Sequence, residues 1–225
     1  MILTPLRWCG RRKYNCVENV MARGEHYYNN KEDFDSLKSR NIPAYMDTNT
    51  NQIKRSMCSW SFPPNAWFKA NFDGVAKGNP GPAGCGGVIW NGAGFYIGAV
   101  AFPLGIQTNN LAEAMGTLQT IKLAYNLSVK VLWLEGDSKN IINCLLGKHQ
   151  PSWMIKNIID SVREFLEGFD KCYISHEYRE SNMCANWAAN EAVQSEQIKI
   201  WNSEAELPHV AHDILIYEIY HGKQG

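Results

Sequence analysis

The chain has 225 residues, 22 basic and 22 acidic side chains, and 45% hydrophobic residues. That is the composition of a globular protein with room for one sizeable domain and extensions. No apolar run approaches the length of a membrane span. The seven scattered cysteines, without a Cys-x-x-Cys pair, fit neither a disulfide framework nor a zinc site and point to a reducing compartment, nucleus or cytoplasm.

Charge is unevenly spread. Residues 1–64 hold ten Lys/Arg against six Asp/Glu, residues 65–195 ten against eleven, and residues 196–225 two against five. The first segment shows little periodicity and contains the polar runs Tyr27–Lys31 and Met46–Gln52, so it reads as an irregular, mildly basic extension. Pro63-Pro64 marks its end. Strands follow over 67–75, 86–91 and 95–102, the last two joined by Asn91-Gly92-Ala93-Gly94, a hairpin connection in which glycine supplies positive φ. An antiparallel meander is predicted.

Next comes a helix capped by Asn109 or Asn110, with Leu111, Ala114, Met115, Leu118, Ile121 and Tyr125 on one stripe. Val129–Leu134 is a short apolar run suited to a strand buried on both faces. Helices over 138–146 and 153–167, a strand over 171–176 and a helix over 181–194 complete the order βββαβααβα. Trp133, Trp153 and Trp187 fall on apolar faces and are predicted to be core. The expectation is one α/β domain over 65–195. Its mixed five-stranded sheet has three antiparallel strands, then two parallel ones, and helices on both faces. Residues 196–225 are predicted to pack on it or extend it.

Four motifs lie on these elements in order: Asn71-Phe72-Asp73-Gly74 running into Gly78-Asn79-Pro80-Gly81-Pro82-Ala83-Gly84; Thr108-Asn109-Asn110-Leu111-Ala112-Glu113; Gly136-Asp137-Ser138 after a strand; and His176-x-x-Arg179-Glu180-x-Asn182. Together they resemble the type 1 ribonuclease H fold, and more closely the plant ribonuclease H-like domain related to non-LTR retroelement polyproteins. The resemblance covers about residues 60–195.

The resemblance implies a Mg²⁺-dependent endonuclease, with Mn²⁺ as a substitute, that cuts the RNA strand of RNA–DNA hybrids. Asp73 would bridge two Mg²⁺ ions, Glu113 and Asp137 would hold the second, and a final acid would hold the water-activating ion. That final position, ten residues after His176, is Asn186. His176 would assist product release or proton traffic. Asn79, Thr108, Asn109, Asn110 and Ser138 would contact the nucleic acid, where amides and hydroxyls can read 2′-hydroxyl groups. The chemistry agrees: hydrolysing a phosphodiester needs an activated water and a neutralised leaving oxygen, and two hard cations held by carboxylates about 3.5–4 Å apart supply both. Taken singly, Asp73 reads as a turn residue, Glu113 as a solvated helix residue and Asp137 as a helix N-terminal acid. The competing reading is a domesticated retroelement fragment that binds nucleic acid or a partner without useful catalysis. The chain is expected to be a monomer without membrane contact.

Overall fold

The computed structural model describes residues 60–222. Most of the irregular segment assigned to 1–64 therefore lies outside the described residues, but Trp60–Pro64 does not. Trp60 is buried, its ring 5.0 Å from Trp90 and 5.1 Å from Phe62. The domain thus begins at or before Trp60 rather than at 65, because a large aromatic ring there fills space beside the sheet.

Strand β1 (Phe68–Ala76) lies inside the sheet and is flanked by antiparallel β2 (Gly81–Trp90) and parallel β4 (Val131–Gly136). β3 (Tyr96–Gln107) pairs antiparallel with β2, and β5 (Lys171–His176) pairs parallel with β4. A sixth strand, β6 (Lys199–Trp201), pairs antiparallel with Ala99–Ala101, so the order is β5-β4-β1-β2-β3-β6. Five strands were expected. Three residues are too few to show a period of two, and only their pairing with β3 makes them a strand. Likewise β2 starts at Gly81, not Gly86. Its Gly-Pro-Ala-Gly start has no side-chain pattern, yet its register with Gly105–Gln107 is continuous apart from one bulge.

Helices α1 (Asn109–Asn126), α2 (Lys139–Leu145) and α3 (Trp153–Glu167) cover one face of the sheet. There Ala70, Phe72, Leu132, Leu134 and Ile174 join Leu118, Ile121, Ile141, Ile155 and Ile159 in one core. Helices α4 (Met183–Val193) and α5 (His209–Gly222) form a second core on the opposite face with Trp60, Val88, Trp90 and Trp201. Alternation along β1 therefore sends Ala70 and Phe72 to the first core and Lys69, Asn71 and Asp73 to the other face.

Three local expectations are corrected. The N-cap of α1 is Thr108, not Asn109 or Asn110: its backbone is extended and its side chain accepts the Leu111 N–H at 3.4 Å. Trp153 is 85% exposed, because the buried stripe of α3 is Ile155, Ile159, Val162 and Leu166, and position 153 falls outside it. Trp133 is half-buried and donates its indole N–H to Ser175 Oγ at 2.7 Å, whereas Trp187 is core. Among the described residues, no helix is long and apolar enough to cross a membrane.

Candidate metal centre

Three acids reach one point from three elements, and backbone contacts decide it. A Cβ on Gly74 would lie 2.1 Å from the Glu113 nitrogen, and one on Gly116 would lie 2.3 Å from the Asp73 carbonyl oxygen. The absence of both side chains lets the first turns of α1 rest directly on β1, which sets Glu113 beside Asp73. Asp137 follows the last residue of β4, where the parallel register places Gly136 opposite Phe72. One ligand atom from each of Asp73, Glu113 and Asp137 falls within 4.8 Å of the others. A cleft of about 240 Å³ opens over them, with Asn109 and Arg179 on its walls.

This cluster is not at ease as it stands. Burial raises the Asp73 carboxyl well above its ordinary range, and the Asp137 charge raises it further; the Gly74 N–H, donating at 2.8 Å, works against both. Burial, then Asp73 and Asp137, raise Glu113 in the same way. Asp137 is raised by burial, with the Arg179 guanidinium pulling it back. Glu113 Oε2 and Asp137 Oδ1 are buried with no hydrogen-bond partner. Unpartnered carboxylate oxygens converging on one point fit a hard divalent cation, which takes oxygen ligands and offsets their repulsion.

Asn186 departs from the role expected of it as a ligand. Asn190 Nδ2 donates to the Asn186 main-chain carbonyl at 2.9 Å and to the Asn186 side-chain oxygen at 2.8 Å. A main-chain carbonyl can only accept, so the first bond fixes which end of Asn190 is nitrogen. The second then fixes the oxygen of Asn186 toward Asn190. Its amide lies close enough to Asp73 to favour the charged carboxylate slightly, the smallest of the influences on that group. The side-chain oxygen of this position is thus engaged within α4.

The helix carrying Asn186 is held in place from two sides. Asn182 Nδ2 donates to the Phe72 carbonyl at 2.9 Å, one residue before Asp73. Glu218 of α5 accepts the Met183 and Cys184 N–H groups at 3.1 and 3.2 Å, taking up free donors at the start of α4. Sequence reasoning passed over Glu218, because nothing in the local pattern of α5 points to a helix start 35 residues earlier.

His176 ends β5 in an exposed position with Nε2 3.1 Å from the Asp137 main-chain oxygen, so it stands at the rim of the cluster. Of the expected nucleic-acid contacts, Asn79 accepts the Asn109 N–H at 3.1 Å and Asn110 accepts from Asn140 Nδ2 at 2.8 Å. Thr108 is engaged as the cap of α1. Ser138 stands at the N-cap position of α2 with no side-chain capping bond. Arg179 was contained in the His-x-x-Arg-Glu-x-Asn motif but not singled out, since a short 3-10 turn at Arg179–Ser181 decides where it points.

A second polar group lies two residues back on the same strands. Lys69 Nζ is fully buried, 2.6 Å from Glu135 Oε1, and donates to the Ser61 carbonyl at 3.0 Å between the rings of Trp60 and Trp133. Asn71 Nδ2 and Ser175 Oγ donate to Glu135 at 3.1 and 3.0 Å.

Residues 71–192, more than half of the chain, match the reverse transcriptase-like family. The chain belongs to that family. Ribonuclease HI of Halobacterium salinarum is 35% identical over 127 residues, which is 55% of this chain and 63% of that protein. An Arabidopsis thaliana protein named for ribonuclease H is 32% identical over 136 residues, 60% of this chain and 22% of its own length. The chain thus spans less than two thirds of either relative. The crystal structure of RNase H1 from the same archaeon superposes with a TM-score of 0.55 at 32% identity, over 57% of this chain and 98% of that one. LC11-RNase H1, solved in complex with an RNA/DNA hybrid, gives 0.53 at 26% identity over 56% and 96%. This reverse transcriptase-like domain therefore has the type 1 ribonuclease H fold, α/β with a mixed sheet, as its motif order implied. Trp60, Lys69, β6 and α5 lie outside residues 71–192.

Proposed function

We propose that the chain is a divalent-cation-dependent nuclease acting on the RNA strand of RNA–DNA hybrids. The observation that carries this reading is the buried cluster of Asp73, Glu113 and Asp137, with two unpartnered oxygens facing a cleft. Similarity to proteins named ribonuclease H, one of them solved with a hybrid, supports the choice of substrate.

Asp73, Glu113 and Asp137 would hold Mg²⁺ or Mn²⁺. When bound, such a cation lowers the pKa of water and neutralises charge on the leaving oxygen. The chain's own part is to orient and to exclude. The β1–β4 register fixes Asp73 against Asp137, the Gly74 N–H holds one Asp73 oxygen, and Asn182 ties the start of α4 to the Phe72 carbonyl beside it. His176 at the rim is placed to take or give a proton near the Asp137 end. Asn109 on the cleft wall, with Asn79, Asn110, Thr108 and Ser138 nearby in the fold, offers amide and hydroxyl groups to a sugar–phosphate backbone.

A second reading, a nucleic-acid-binding module without useful turnover, draws on the Asn186 amide standing where an acid is expected. Cleavage of a labelled RNA–DNA hybrid in Mg²⁺ and in Mn²⁺ separates the two. The nuclease reading expects metal-dependent cleavage that Asp73→Asn abolishes. Hybrid binding without cleavage in either metal would favour the module.

A further inference from the structure

The cluster can be counted as charge as well as geometry. Asp73, Glu113 and Asp137 bring three negative charges when ionised, and Arg179 brings one positive charge to the same cleft. The sum is that of one divalent cation, not two. The ligand count agrees. The three carboxylates converge within one coordination sphere, while the fourth position is an amide whose oxygen is turned to Asn190. A second cation beside Asp73 on the α4 side would meet the Arg179 charge, and it would find the Asn186 oxygen already engaged. Both oppose a cation.

The geometry points to a centre that holds one divalent cation among Asp73, Glu113 and Asp137, with the Arg179 guanidinium supplying the positive charge that a second cation would bring. This rests on reading the cluster as a metal centre, and it narrows how that centre works. Arg179 is exposed at the cleft wall, free to meet a phosphate oxygen with a planar pair of N–H donors. A guanidinium does not dissociate at low metal concentration, so this half of the charge compensation is permanent. The amide of Asn186 fits the same arrangement, since it adds no negative charge for a second ion to neutralise.

The test is a Mn²⁺ titration of the full chain, read by the electron paramagnetic resonance signal of free Mn²⁺. It is run with protein alone and with a hybrid made uncleavable by 2′-O-methylation of its RNA strand, after subtraction of a hybrid-only blank. Wild type is expected to bind one Mn²⁺ per chain in both arms. Asn186→Leu should change the affinity of that ion less than threefold, whereas Glu113→Gln should weaken it at least tenfold. Arg179→Ala, at an exposed position that leaves the fold intact, should tighten it by about tenfold through loss of a nearby like charge. Arg179→Ala combined with Asn186→Asp should bind two ions in both arms.

Two Mn²⁺ per wild-type chain with the hybrid would overturn the inference. So would a tenfold loss in Asn186→Leu, or a double variant that still binds one. Its fate is separable from that of the nuclease reading. One bound Mn²⁺ with no hybrid cleavage sinks the nuclease and keeps the inference, and two bound ions with full cleavage do the reverse.

Discussion

Two polar groups sit side by side on the same strands and differ in every energetic respect. Asn71 and Asp73 are alternate residues on one face of β1, as Glu135 and Asp137 are in sequence at the end of β4. The rear group is complete: a buried ammonium meets a buried carboxylate at 2.6 Å, and both carboxylate oxygens accept further hydrogen bonds. The forward group is three carboxylates with no internal cation in contact and two orphaned oxygens. A buried ion pair rarely adds net stability over a well-packed apolar core, yet it is costly to break, so its use is to specify one arrangement. Here that arrangement is the β1–β4 register. A slip of one residue would carry Glu135 off Lys69 and Asp137 off Asp73 together. The rear group holds the frame in which the forward group can remain unsatisfied, and that unmet demand is what suits the latter to a cation.

The largest expected effect breaks the forward group. Asp73→Asn should abolish hybrid cleavage at every Mg²⁺ concentration while raising the melting temperature of the metal-free chain, because it removes one of three repelling buried carboxylates. Cleavage rates over a Mg²⁺ series and a calorimetric melt check both halves. A fall in melting temperature would contradict the repulsion.

Breaking the rear group should instead show mainly in stability. Lys69→Met leaves Glu135 buried without its counter-charge and should cost about 3–5 kcal/mol in urea unfolding. The double change Lys69→Met with Glu135→Leu should recover most of that loss. If the single and double variants unfold alike, the pair is not the frame described above.

Acidity sharpens the contrast further. Asp73 is held above its ordinary value by burial and then by the Asp137 charge, Glu113 by burial and then by Asp73 and Asp137, and burial pushes Glu218 up to about 7. A carboxyl raised on folding favours the neutral form in the native state. Its contribution is therefore fully present below the unfolded value, about pH 4, and is lost as pH rises toward the folded value. Metal-free melting temperature should accordingly fall as pH rises above about 4 through these groups, with the part due to Glu218 lost by about pH 7. Millimolar Mg²⁺ should restore it at pH 8 in wild type but not in Asp73→Asn, by binding only the native state. Glu218→Gln should flatten part of the slope. Melts at pH 5, 7 and 8 with and without Mg²⁺ would show it, and a stability that rises over that range in all variants would refute it.

The smallest effect belongs to Trp153, which touches neither group. Trp153→Ala should change stability by less than about 0.5 kcal/mol, as an exposed position does. A loss of several kcal/mol in urea unfolding would mean the ring packs against something.

Much of this molecule was legible in the chain. The period-two runs, the glycine turn before Phe95 and the stripe from Leu111 to Tyr125 marked local structure, because side-chain alternation and positive φ are properties of neighbouring residues. Asp73, Glu113 and Asp137 could be singled out for the same reason: each lies in a motif written in adjacent positions. That the three meet was decided in three dimensions. It depends on Gly74 resting against Glu113 and Gly116 against Asp73, contacts between residues 39 and 43 apart that no window reveals. So were the exposure of Trp153, the three-residue β6 strand, the approach of Arg179 and the cap that Glu218 places on α4. The orientation of Asn186 shows the limit most plainly. Its identity is one letter of sequence, but where its side-chain oxygen points is set by Asn190, one helical turn away, whose own direction is fixed by a backbone carbonyl. A side chain's chemistry is given by its type; which end of it faces a site is given only by the partners that packing supplies.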